Sequence, residues 1–143
     1  MLNNNYGGGY SFGVELIPPV SGFTYSYSAG TAYAPANYSS TYQMIEETFY
    51  TLNMGSVYKL PNGAYFMCDA DSGMIYEINS SGEICWKYSN PYQQSGLMTQ
   101  GQTPDTYQGG NRNSLFRAIK YPIDYGGFSG RTFKQQGVIE IIP

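Results

Sequence analysis

No histidine occurs among the 143 residues, and charged side chains make up only 12% of them. The first absence removes the commonest general base and the usual partner of a catalytic cysteine. The second leaves little charge to steer a partner. Lys59, Lys87, Arg112, Arg117, Lys120, Arg131 and Lys134 are scattered singly, and the net charge is −3. Without a basic stripe to neutralise phosphates, no nucleic-acid partner is expected. No apolar run approaches the roughly 20 residues of a membrane helix, so no membrane span is expected either. The opening Met1-Leu2-Asn3-Asn4-Asn5 is polar and does not read as a signal peptide. On that reading the chain is cytosolic, processed, or a piece of something longer. The two cysteines, Cys68 and Cys85, are too few for a disulfide scaffold.

What the chain has in quantity is aromatic surface. Aromatics reach 17%, and 16 of those residues are tyrosine. A disordered chain lacks this much to bury. Tyrosine suits strands, where the ring packs on a pleated face and the hydroxyl reaches water. The length is sufficient for one domain with its own core.

The clearest pattern lies between Gly55 and Ser89. Four apolar-rich runs, Ser56–Leu60, Ala64–Cys68, Met74–Ile78 and Glu83–Tyr88, are separated by turns ending in Gly63, Gly73 and Gly82. Glycine supplies the positive φ that closes a tight hairpin. Short strands at this spacing predict an antiparallel four-stranded meander, the unit of a propeller blade. Cys68 and Cys85 then fall on the second and fourth strands, roughly 9.5 Å apart. That exceeds the reach of a disulfide, so both are expected to be unpaired, small buried hydrophobes.

Around the meander the reading is less regular. Gly22–Ser28 alternates Phe23, Tyr25 and Tyr27 with Thr24, Ser26 and Ser28, which predicts a half-buried strand. Val14–Ile17 reads as a short strand ended by Pro18-Pro19, and 29–40 as a loop. Thr41–Met54 is read as a strand followed by an irregular segment, with a helical turn at Glu46–Tyr50 as the alternative. Residues 90–113 form a long polar stretch. Such a stretch in a compact domain is usually functional or ordered by its own side chains. Ser114–Tyr121 and Val138–Ile142 read as further strands. The expected organisation is one structural unit: a partial blade over 1–54, a blade over 55–89, and a long loop with two strands over 90–143.

The ordered set of motifs resembles the C-terminal part of the secreted aryl-sulfate sulfotransferase-like (arylsulfotransferase) β-propeller family. Leu2-Asn3-Asn4-Asn5 is similar to a strand end and "NNG" turn of one blade. Tyr10-Ser11, Val14-Glu15-Leu16 and Pro18-Pro19 resemble the "YS…VEI.PP" stretch after it. Tyr58-Lys59-Leu60-Pro61-Asn62-Gly63 resembles the "RLPNG" hairpin, and Gly82–Tyr88 with Asn90-Pro91 the "G.IVWKY.NP" run. Asn113–Ala118, Tyr121, Asp124-Tyr125 and Gly127 resemble "NSVFRAYRY.PDYPGL", and Gly137–Glu140 the closing "GPIEL". The resemblance implies an extracellular or cell-surface setting and a propeller of which only the last blade or two lie here. It also implies sulfuryl transfer through a histidine, a nucleophile that no position of this chain can supply.

Candidate sites are few. Asp69-Ala70-Asp71-Ser72-Gly73 resembles half a calcium loop, but the later acidic ligand is replaced by Ser80. A plain hairpin turn is therefore favoured, with Asp69 and Asp71 kept as candidate metal ligands. Arg117 is a candidate anion-binding residue; the competing reading has it tie the long loop to backbone carbonyls or Asp124. Glu46-Glu47 and Glu77…Glu83 are carboxylate pairs by count only. No cofactor and no catalytic residue are expected within the chain.

Three functions follow. The first is a non-enzymatic structural or interaction module, a homo-oligomer or polymer formed through exposed sheet edges. The second is the tail of a sulfotransferase-like enzyme whose histidine lies upstream. The third is a glycan- or aromatic-binding propeller fragment.

Overall fold

The computed structural model describes residues 1–6 and 8–143, with backbone only at Asn5 and Tyr6. The fold is all-β with antiparallel sheets. The N-terminal part carries β1 (Leu2–Tyr6), β2 (Tyr10–Glu15), the two-residue strands β3 (Val20–Ser21) and β4 (Thr24–Tyr25), and β5 (Ser40–Tyr42). The meander supplies β6 (Ser56–Lys59), β7 (Tyr65–Asp69), β8 (Met74–Ile78) and β9 (Ile84–Ser89). Two small hairpins follow, β10 (Tyr92–Gln93) with β11 (Gly96–Leu97), and β12 (Thr106–Tyr107) with β13 (Gly110–Asn111). A 3-10 turn at Gly126–Phe128 lies in the C-terminal segment.

The four-stranded sheet has the order β6-β7-β8-β9, as its glycine spacing predicts. Gly63, Gly73 and Gly82 all take positive φ, at 85°, 70° and 88°. One face carries Val57, Met67 and Tyr76 in one cross-strand row and Tyr65 with Ile78 in the next. These residues join Met44 and Phe49 in the main core. The three-stranded sheet β1-β2-β5 packs against this face. Tyr42 of β5 stacks on Tyr65 at 3.7 Å between ring centroids. Gly13 of β2 sits so close to β6 that an added Cβ would lie 2.7 Å from Val57 Cγ1. A glycine here lets two sheets approach where any side chain would intrude.

Four elements depart from the sequence reading. The strand expected at Val14–Ile17 is instead β2, Tyr10–Glu15, and Leu16 and Ile17 lie beyond its end. Gly22–Ser28 is not one strand: Gly22, at φ +60, turns the chain, and two residue pairs on either side make a minimal hairpin with Phe23 fully exposed. Ser114–Tyr121 is not a strand either. It crosses the second face of the blade as a strap, held by Gly55 N–H to Phe116 O at 2.9 Å, by Ser56 Oγ to Ala118 O at 3.1 Å, and by Tyr58 against Lys120. Side-chain hydroxyls take the bonds that a ladder would have used. The Val138–Ile142 run reduces to a parallel bridge between Thr99 and Ile141, flanked by two backbone bonds. Thr41–Met54 contains the short β5 and then irregular backbone, with no helical turn.

Candidate functional site

The second face of the blade is the most distinctive surface. The register places Tyr58, Phe66, Glu77 and Trp86 in one row across all four strands. Tyr58 and Phe66 rings lie 5.4 Å apart, Phe66 and Trp86 6.3 Å, and Trp86 and Tyr88 6.0 Å. Glu77 is buried in this row, and Lys120 of the strap forms an ion pair with it. A buried carboxylate needs such a partner, since an uncompensated charge among rings would be costly. Ala118 of the strap packs with Leu60, Ala64 and Phe66. Cover is incomplete at the edge: Trp86 remains 47% exposed, and Phe116, Ile119 and Tyr121 of the strap are exposed as well.

The residues singled out in the sequence are dispersed. Arg117 is exposed, on the strap between two backbone-anchored residues, and neither of the ion pairs among the described residues involves it. It does not tie the loop to Asp124. Asp69 folds back on its own turn, accepting Ser72 N–H at 3.4 Å while its backbone oxygen accepts the Ser72 hydroxyl. Burial pushes the Asp69 carboxyl up, with the Asp71 charge adding to the effect. Asp71 instead accepts Leu52 N–H. Among the described residues no group of three or more His, Cys, Asp or Glu side chains is placed to hold a metal ion. Cys68 and Cys85 are both free thiols; Cys68 is buried, but Cys85 is exposed, contrary to expectation. The reason is local. Ile78 pairs with Ile84 and Glu77 with Trp86, so Cys85 is the extra residue of a β-bulge on the outer strand.

The carboxylate pairs also separate. Glu77 faces Trp86 across the sheet, whereas Glu83 lies outside the ladder and accepts the Asn79 side chain. Glu47 accepts the Tyr76 hydroxyl at 2.9 Å and pairs with Lys87 at 2.7 Å. It braces the Met44–Phe49 segment to the blade. Among the described residues, neither carboxylate pair is opposed for acid–base work.

No family model, curated protein or solved structure matches the chain.

Residues that carried no sequence signal form a second polar region in the 90–113 stretch. Gln93, 4% exposed, bonds Asp105 and Ser95, and Arg112 lies over the Tyr107 ring at 4.9 Å. Only the length and polarity of the stretch hinted at it. The pairing of Gln93 with Asp105 spans a loop that no local period encodes.

Proposed function

We propose that the chain is a non-enzymatic, extracellular structural or interaction module, part of an incomplete propeller that self-assembles or docks against partner chains. Trp86 carries this reading. It ends a cross-strand row whose other members are covered, and nearly half of its surface stays bare. A large aromatic ring left open on a blade whose strap also exposes Phe116 and Tyr121 has the character of an interaction surface. Low charge supports the same reading, because few side chains are available to repel a neighbour.

The face rather than the strand edge is the adhesive surface. Outer strand β9 carries a bulge at Cys85 and a lysine at Lys87, and both devices blunt backbone pairing between edges. The sulfotransferase-like alternative keeps one supporting observation, the exposed and unpaired Arg117 as an anion contact, and requires a histidine from outside this chain.

Trp86 is the chain's one tryptophan, so its fluorescence reports this surface alone. Emission is expected to shift to the blue as concentration rises from micromolar to sub-millimolar. Emission that holds constant over that range, with a constant sedimentation coefficient, counts against the proposal.

A further inference from the structure

We propose that the open groove beside the β12–β13 hairpin is a binding subsite for a neutral polyhydroxylated chain, that is, an oligosaccharide. The groove holds about 780 Å³ and is lined by Gln94, Ser95, Pro104, Asp105, Thr106 and Arg112. Behind this lining, Gln93 donates from its amide nitrogen to Asp105 Oδ2 and to Ser95 Oγ, each at 3.1 Å. The Gln93 amide oxygen accepts Asp105 N–H at 2.9 Å. A buried amide used at both ends holds the Asp105 carboxylate in a set orientation before any ligand arrives.

Arg112 is held beside Asp105 through a backbone bond, its N–H to Asp105 O at 2.7 Å. Yet the two do not neutralise each other. The ion pairs among the described residues are Lys87–Glu47 and Lys120–Glu77. The Arg112 guanidinium instead donates to the Gln94 side chain and covers one face of Tyr107, a residue 60% exposed. Beyond Tyr107 lies a second cavity of about 570 Å³, which Gln108, Gly109 and Asn111 help to line. At the hairpin turn, Gln108 takes φ 50°, the one positive φ outside glycine among the described residues. Backbone held in that region is a cost the surrounding structure must offset.

The ligand class follows from what the groove would reject. An anion meets Asp105, a cation meets Arg112, and an apolar ligand offers neither group a hydrogen bond while displacing water from both. Hydroxyl groups satisfy both, because each donates and accepts. In the second cavity, the open part of the Tyr107 ring offers an apolar surface for the C–H face of a sugar ring on the same chain. Cavities on both sides of the hairpin fit a chain of several rings rather than a single one.

The test is calorimetric titration of the chain with cellohexaose, xylohexaose and mannohexaose, with an oligogalacturonate of equal length as the acidic control. The expected result is saturable binding of at least one neutral hexamer. Tyr107→Ala should weaken it about tenfold or more, while Tyr107→Phe stays within about threefold, as ring contact requires. Because Tyr107 is exposed, Tyr107→Ala should melt as the parent does, and a circular dichroism melt verifies this. Absence of saturable binding for all three neutral hexamers overturns the proposal. So does undiminished binding by Tyr107→Ala, or tighter binding of the acidic control.

Discussion

Cys68 lies on β7 between two neighbouring strands, and burial, aided by the Asp69 charge, pushes its thiol up to about 11. At neutral pH it is a protonated, enclosed group and a poor nucleophile. Cys85 stands on the bulge of the outer strand in contact with solvent. Iodoacetamide at neutral pH should therefore add one label to the native chain, at Cys85, and two after unfolding; two labels on the native chain would contradict the placement of Cys68. Glu47 makes a second test at this scale. Hydrogen bonds from Lys87 and then Tyr76 hold its carboxyl below the usual value. A carboxyl with a lowered folded pKa contributes stability that is full above its unfolded pKa and is lost as pH falls through the folded value. Glu47→Gln should thus lower Tm at neutral pH by a few degrees at most, since the pair is partly solvated. The difference should close in acid. An equal gap across the whole pH range would show that the effect is not the charge.

At the scale of elements, the contact between the two sheets depends on the missing side chain at Gly13. Gly13→Val would drive new atoms into Val57 and should cost about 1–3 kcal/mol by overpacking, measured by urea unfolding. An unchanged midpoint would mean the sheets are not in contact there. The meander itself was legible because its turn glycines punctuate strands of four to six residues, a local signal needing no knowledge of the partner strand. Ser114–Tyr121 was misread for the opposite reason. Its apolar run fits a strand, but strand pairing is a property of two segments, and here the neighbours offered Ser56 and Tyr58 hydroxyls. Alternation at 22–28 failed likewise, because Gly22 outweighed the pattern on its flanks. In the second polar region, the Arg112–Tyr107 contact joins β12 to the residue just past β13, but Gln93 with Asp105 joins residues across a loop, and that pairing left no trace in the sequence.

The whole molecule combines a well-packed pair of sheets with an unusually bare periphery. Met67, Cys68 and Ile78 are fully buried, whereas Trp86, Phe116, Ile119 and Ile123 face solvent. With so little charge, few side chains stand beside this surface to oppose association. On this account the exposed aromatic face belongs against another polypeptide, and its bulged edge directs association to the face. Static light scattering on the purified chain tests that most directly. The account predicts a particle heavier than the 15.9 kDa chain, with the mass falling when Trp86→Ser removes the bare ring. A mass of 15.9 kDa that stays constant with concentration, together with one cooperative melt, would contradict it.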